Sequence, residues 1–227
     1  MKTHYRNRLP HIAPIGATFF VTFRLVDALP QSVVLALKAA LESEISRLKK
    51  EFPNDYIQRI PDARKRNFGK YDRQLDMQPY GACYLKEPEI AEIVAGKMCE
   101  YDGKYYDLQA YCIMPNHVHV LFSMSVQVID NQCIWREDVP EDYIQLDKVM
   151  HRIKGGSSFI ANRKLGRTGK FWFKDSYDHY VRNEKEWLNI AAYIIQNPVK
   201  ARLSDKWESW PYSFCKPALL EHLMFRV

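Results

Sequence analysis

The sequence predicts an α+β protein with a ferredoxin-like antiparallel sheet, helices on one face and an added C-terminal helix. Three observations lead to this prediction. Two strand-like segments, 104–113 and 117–124, are joined by a short turn, a third strand-like segment lies near the N-terminus, and helical periodicity lies between and after them. The predicted order is strand, helix, helix, hairpin, helix, strand, helix. If the second helix belongs to an inserted region, this is the order of a ferredoxin-like fold followed by one extra helix.

The first half of the chain supplies one strand and two helices. Residues 17–25, ATFFVTFRL, are rich in aromatic and β-branched side chains and predict a strand. Pro30 then opens a helix over 31–50, with apolar residues at helical spacing. Residues 51–82 lose this periodicity, contain three prolines and many charges, and are interpreted as an insertion in a single domain over 1–227. A second helix is predicted at 87–99.

The second half begins with the hairpin, whose strands are joined by Met-Pro-Asn. Residues 144–165 predict a helix that breaks at Gly155-Gly156 and restarts with Ser157 as its cap. The alternating segment 177–183 predicts a short strand.

The final helix has a clear start and stop. Asn183 can cap its N-terminus, with Glu186 three residues later, and Pro198 is expected to end it. One face is apolar and should pack on the sheet, with Trp187, Ile190, Ala191 and Ile194. Another face is polar, with Glu186, Asn189, Tyr193 and Asn197.

Composition favours a cytoplasmic protein that does not enter a membrane. Five cysteines without a CxxC pair indicate free thiols in a reducing compartment. No segment approaches the ~18 uncharged residues of a membrane span, and the N-terminal residues do not resemble a signal peptide.

A basic segment predicts a polyanionic partner. The formal net charge is +6, and residues 148–174 hold eight Lys and Arg residues without an acid. Such a stretch, interleaved with aromatics and glycine, favours nucleic acid, although a merely solvated basic face is the alternative. Trp172 and Phe173 would stack on bases or lie buried. The candidate DNA-binding residues are Arg152, Lys154, Arg163, Lys164, Arg167, Lys170 and Lys174.

Two histidines in the strand MPNHVHVLF (114–122) form the strongest local signal. Side chains alternate along a strand, so His117 and His119 share one face while Val118, Val120 and Phe122 share the other. Paired imidazoles suit a metal ion, although an isolated pair of this kind is often incidental. With one oxygen ligand, such a site would leave positions open for water and phosphate, which is a catalytic arrangement.

Several blocks of the chain together resemble the HUH single-tyrosine transposases, and most closely the REP-associated tyrosine transposase branch. They are MPNHVHVLF, RTGKFWFKDSYDHYVRNEKEW and YIIQNPVKARL, with TFFVTFRLVDALP near the start and WESWPYSF near the end. The resemblance covers most of the chain outside 41–82.

The resemblance implies a fold of the HUH-endonuclease type in which His117 and His119 hold Mg²⁺ or Mn²⁺. It implies that Asn197 is a third ligand and that Tyr193 is the nucleophile, which would form a 5′-phosphotyrosine link and free a 3′-hydroxyl. The implied partner is single-stranded or hairpin DNA near palindromic repeats, bound by a monomer or homodimer. The implied activity is that of a metal-dependent single-stranded DNA endonuclease and strand transferase.

Two other functions remain open at this point. A non-catalytic nucleic-acid-binding module would stack bases on exposed strand aromatics such as Phe20 or Tyr111 and need no metal. A metal-dependent hydrolase would use water instead of Tyr193. Tyr177 and Tyr180 compete with Tyr193 as nucleophiles, but neither has an asparagine one helical turn later.

Overall fold

A five-stranded antiparallel sheet lies at the centre of the computed structural model, which describes residues 4–7, 9–12, 14–77, 80–128 and 141–224. Its strands are β3 (Thr18–Arg24), β4 (Asp107–Ile113), β5 (His117–Ser123), β6 (Tyr177–Tyr180) and β7 (Ser213–Cys215). They lie in the order β6-β3-β5-β4-β7. Without the edge strand β7, this is the antiparallel order of a ferredoxin-like sheet, so the predicted fold class is confirmed. A separate two-stranded ribbon pairs β1 (His4–Asn7) with β2 (Leu9–Ile12).

The first face of the sheet is covered by α3 (Pro88–Cys99) and α4 (Leu146–Lys164). The sequence placed α3 in an inserted region, but Ile90, Val94 and Met98 are fully buried in the main core. This apolar surface makes α3 the helix that connects the first two core strands, and the earlier assignment is wrong.

Helix α4 runs without the predicted break at Gly155-Gly156. A Cβ atom on Gly156 would lie 3.1 Å from side-chain carbons of Lys97 on α3. Glycine there permits the two helices to approach closely, and it does not interrupt α4. Ser157 is not a cap, because it lies within the helix and its hydroxyl donates to the Ile153 carbonyl.

The second face is covered by α5 (Glu184–Lys200), with α6 (Pro217–Met224) packed beside it. Leu188, Ala191, Ile194 and Ile195 of α5 are buried with strand residues such as Phe20. Asn183 caps the helix as predicted, accepting the Glu186 backbone N–H at 2.9 Å. Pro198 does not end α5, which continues to Lys200 because a proline near the last turn removes only one hydrogen-bond donor.

Helices α1 (Gln31–Glu51) and α2 (Tyr56–Met77) form a hairpin. The helix over 56–77 shows that the interpretation of 51–82 as a segment without periodicity is wrong, because Ile60, Ala63, Tyr71 and Leu75 recur at helical spacing. Pro61 lies in its second turn. Its register is set by tertiary contacts: Ala63 packs with Leu41 and Leu48 of α1, while Leu75 joins the main core.

The described residues contain no helix that is both long and apolar enough to cross a membrane. Cys83, Cys99, Cys112 and Cys215 are free thiols, and the fifth cysteine, Cys133, lies outside the described residues.

Candidate active site

His117 and His119 project from the central strand β5 to the face covered by α5. Their Nε2 atoms are 2.9 Å apart, and both side chains are fully buried. In the β3–β5 ladder His119 pairs with Thr22 and His117 with Arg24. The structure therefore brings the two imidazoles together with their Nε2 atoms converging on one point.

The opposite ring nitrogens are held by neighbouring polar groups. Nδ1 of His117 lies 2.7 Å from Oδ1 of Asn116, and Nδ1 of His119 lies 2.7 Å from the Thr22 hydroxyl. The Asn116 amide nitrogen donates to the Leu75 carbonyl, so its Oδ1 is left to accept from His117. By this assignment Nδ1 of His117 carries the proton and its Nε2 presents a lone pair, which is the tautomer that a metal requires.

Burial keeps both imidazoles neutral. Loss of solvation lowers the pKa of His117 to about 3. Burial also lowers the pKa of His119 well below its ordinary value, and His117 lowers it further because two protonated rings would repel each other. Neutral imidazole is the ligand form of histidine, so the pair is ready for a cation at neutral pH.

Two carboxylates from α2 reach the same point. Oδ1 of Asp72 lies 3.4 Å from Nε2 of His119, and Oδ1 of Asp76 lies 3.7 Å from Nε2 of His117. Ligand atoms of Asp72, His117 and His119 all lie within 4.8 Å of one another. Sequence analysis missed both aspartates, since their four-residue spacing indicates a shared helix face only once the segment is known to be helical.

The aspartates are poorly solvated. Burial raises the pKa of Asp72 to about 8, with a further contribution from Asp76 and an opposing one from Lys200. Burial also raises the pKa of Asp76 to about 6. Oδ1 of each carboxylate is buried and accepts no hydrogen bond. Imidazole nitrogens beside unpaired carboxylate oxygens form a donor set that fits a divalent cation.

Tyr193 of α5 lies directly against this cluster. Its ring centroid is 5.5 Å from that of His119, and its hydroxyl donates to Oδ2 of Asp72. The Lys200 ammonium lies 4.9 Å from the centre of the Tyr193 ring. The half-buried ring packs edge-on against Phe20. The position of the hydroxyl near the histidines is therefore fixed by this ring contact as well as by its hydrogen bond to Asp72.

Asn197, one turn after Tyr193, is fully buried, although the helical pattern predicted a polar face. Both polar atoms of its side chain are buried and make no hydrogen bond. An amide with neither group satisfied is costly, so this side chain is suited to a ligand that supplies the missing partner.

Neither competing tyrosine occupies the position of Tyr193. Tyr177 stacks on Phe68 of α2 with ring centroids 3.8 Å apart, and burial raises the pKa of its hydroxyl. Tyr180 packs beside Phe19, on the opposite face of the sheet from the histidines.

The basic segment lies with α4 and the following loop, away from the histidine cluster. Lys154 does not present a free charge, because its Nζ donates to the carbonyls of Phe173 and Lys174 and to the Ser176 hydroxyl. Trp172 is buried and donates to the Ser157 hydroxyl, so it offers no stacking surface. Arg167 is half-buried and donates to Asn162, and Lys164 pairs with Glu89. The other predicted DNA-binding residues are exposed: Arg152, Arg163, Lys170 and Lys174.

Comparisons with known proteins identify curated relatives of this sequence. A protein of Haemophilus influenzae that is provisionally named a REP-associated tyrosine transposase is 29% identical over 108 residues, covering 48% of this chain and 58% of the relative. The REP-associated tyrosine transposase of Escherichia coli is 24% identical over 108 residues, covering 48% and 53% respectively. The chain thus spans about half the length of the curated relatives it matches.

No protein-family model matches the chain. A solved structure of a REP-associated tyrosine transposase bound to a REP hairpin aligns with a TM-score of 0.44 at 16% identity, over 92% of this chain and 82% of that chain. The resemblance that the sequence motifs indicated is confirmed by the curated relatives.

Proposed function

Starting from the similarity to REP-associated tyrosine transposases, we propose that this chain is a metal-dependent single-stranded DNA endonuclease and strand transferase. It cleaves beside palindromic hairpins through a 5′-phosphotyrosine intermediate. One observation carries the proposal: the Tyr193 hydroxyl donates to Asp72 within a buried cluster of that aspartate and two histidines.

His117 and His119 would hold Mg²⁺ or Mn²⁺ through Nε2, with Asn197 as a further ligand. The buried, unsatisfied amide of Asn197 supports this assignment. When bound, the cation polarises a phosphate and stabilises the charge that develops during its substitution. Asn116 and Thr22 orient the two rings, so the ligand atoms converge before any ion binds.

Tyr193 is the nucleophile in this proposal. An unperturbed tyrosine hydroxyl has a pKa of about 10 and needs help to attack at neutral pH. Oδ2 of Asp72 already accepts the hydroxyl hydrogen and orients the oxygen. The bond from the tyrosine oxygen to phosphorus forms as the bond from phosphorus to the 3′ oxygen breaks, and the proton lost by tyrosine is balanced by the one that the 3′ oxygen gains. The freed 3′-hydroxyl can reverse the reaction on another strand.

Exposed basic side chains on and after α4 would bind the phosphate backbone of the hairpin. Arg152 and Arg163 are the clearest candidates, because both are exposed on α4 and eleven residues, or three helical turns, apart. The alternative of a non-catalytic module with base-stacking strand aromatics is not supported, since Phe20 is buried beneath α5 and Tyr111 stacks on Phe214.

A covalent-capture assay tests the proposal. The protein is incubated with Mn²⁺ and single-stranded oligonucleotides that carry a hairpin and a label on the 3′ side of the cleavage site, and adducts that survive denaturation are detected. We expect an adduct with the wild type and with Tyr177→Phe, and none with Tyr193→Phe, which removes one oxygen and little volume.

Cleavage without an adduct in all three proteins would instead identify water as the nucleophile and favour a hydrolase. An adduct formed by Tyr193→Phe would also refute the assignment. The double variant His117→Ala/His119→Ala should lose cleavage that depends on the metal.

A further inference from the structure

Among the described residues, Asp72 is the one carboxylate seen to contact both the histidine pair and the nucleophile. It is 4% exposed, Oδ2 accepts the Tyr193 hydroxyl, and Oδ1 lies 3.4 Å from His119 without a hydrogen bond. We propose that Asp72 is a protein ligand of the metal through Oδ1, so that α2 forms part of the active centre. This inference rests on the proposed function, in which His117 and His119 bind the metal.

The distances fit adjacent positions around one ion. Mg²⁺ binds its ligands at about 2.0–2.1 Å in octahedral geometry, so neighbouring ligand atoms are roughly 2.9 Å apart. The two histidine Nε2 atoms are 2.9 Å apart, and Oδ1 of Asp72 is 3.4 Å from Nε2 of His119. The second distance is about half an ångström longer than the octahedral spacing, and the ligand atoms of all three residues lie within 4.8 Å of one another, so the group is close to the size of a three-ligand face.

The charges also fit. The neighbouring imidazoles are neutral, and Asp76 adds a second acidic group on the same face of α2, so the single charge of Lys200 is the cation that acts on both aspartates. A buried carboxylate without a cation is costly, and a divalent ion at the histidines would relieve that cost.

This ligand would add a metal bridge to the contacts that hold α2 against the sheet. Besides Leu75 in the core, α2 is held near the site by Phe68 stacked on Tyr177 and by the Tyr71 hydroxyl, which accepts from Arg24. A metal held by both Asp72 and the strand histidines would clamp α2 to the sheet. Metal binding and docking of α2 are then thermodynamically linked.

The test measures Mn²⁺ binding by titration calorimetry in the full chain, with circular dichroism as the check on folding. Asp72→Asn should weaken binding at least about tenfold, since loss of even an outer-sphere partner costs 10–100-fold. Asp76→Asn is the matched control, because it makes the same change one helical turn later and should weaken binding less. Exchange of the α2 amides with deuterium should slow on adding Mn²⁺ in the wild type but not in Asp72→Asn.

The inference is overturned if Asp72→Asn binds Mn²⁺ as tightly as the wild type while His117→Ala/His119→Ala does not bind it; the proposed function then stands. If the double histidine variant binds Mn²⁺ like the wild type, the assignment of His117 and His119 as metal ligands is wrong, and the proposed function fails with it. A folded Asp72→Asn variant that loses Mn²⁺ affinity and the slowed exchange supports the inference.

Discussion

Replacing Thr22 with Val should weaken metal binding while leaving the fold intact. The Thr22 hydroxyl lies 2.7 Å from Nδ1 of His119, and both side chains are buried. If Nε2 of His119 is the metal ligand, its Nδ1 carries the proton and the Thr22 hydroxyl accepts it. Val matches Thr in shape but cannot accept that proton. The imidazole then either keeps an unsatisfied N–H or moves its proton to Nε2, where it blocks the ion.

The size of the effect follows from that single hydrogen bond. Leaving a buried donor unsatisfied costs about 1–3 kcal/mol, and about 1.4 kcal/mol corresponds to a tenfold change in affinity. We therefore expect Mn²⁺ affinity, measured by titration calorimetry, to fall by roughly 10–100-fold, as for other outer partners of metal-bound histidines.

Thr18→Val is the matched control, because Thr18 lies on the same strand but pairs with Ser123, four residues beyond His119. It should bind Mn²⁺ like the wild type. If Thr22→Val also binds like the wild type, the hydroxyl does not orient the ring, and the argument that the Nε2 lone pairs are set by their neighbours fails.

Three further outcomes are expected. Asn197→Ala should lower Mn²⁺ affinity, whereas Asn189→Ala, an exposed position on the same helix, should not; equal affinities would remove Asn197 from the ligand set. Because burial raises the pKa of Asp72 from 3.8 to about 8, the metal-free folded chain binds a proton that the unfolded chain has lost, so its free energy of unfolding should fall as pH rises between these values. Asp72→Asn should flatten that fall in urea titrations, and an unchanged profile would contradict the argument. Replacing Arg152 and Arg163 together by Ala should make the log–log salt dependence of single-strand binding shallower by about 1.4, since each phosphate contact contributes roughly 0.7, and an unchanged slope would place the DNA elsewhere.

Elements with strong local patterns were predictable from the sequence. The β4–β5 hairpin follows from alternation of side chains around a Met-Pro-Asn turn, and α5 follows from its Asn183 cap and apolar face. The same local patterns drew attention to His117 and Tyr193, because strand alternation and helical spacing are properties of neighbouring residues.

Features set by distant contacts were not predictable. Helix α2 has an apolar face, with Ile60, Ala63, Tyr71 and Leu75 at helical spacing, but Pro61 and the many charges on its other face obscured that pattern. The approach of Asp72 to the histidines depends in addition on packing against α1 and the core. Gly156 suggested a break because the sequence does not reveal that Lys97 lies 3.1 Å from the position of its missing Cβ. Asn197 was assigned to a polar face because a helical wheel does not distinguish solvent from a buried polar cluster.

The position of β5 has a consequence for how a metal would bind. All seven residues of this strand are buried, and its backbone is hydrogen-bonded to β3 on one side and to β4 on the other. The conformational entropy of bringing the two imidazoles together is therefore lost when the chain folds. Binding of the ion does not have to order these side chains again, so its affinity is not reduced by that entropy loss. Unlike small zinc domains that unfold when stripped of metal, this sheet should persist in a chelator, and an arriving cation should meet ligands that are already assembled.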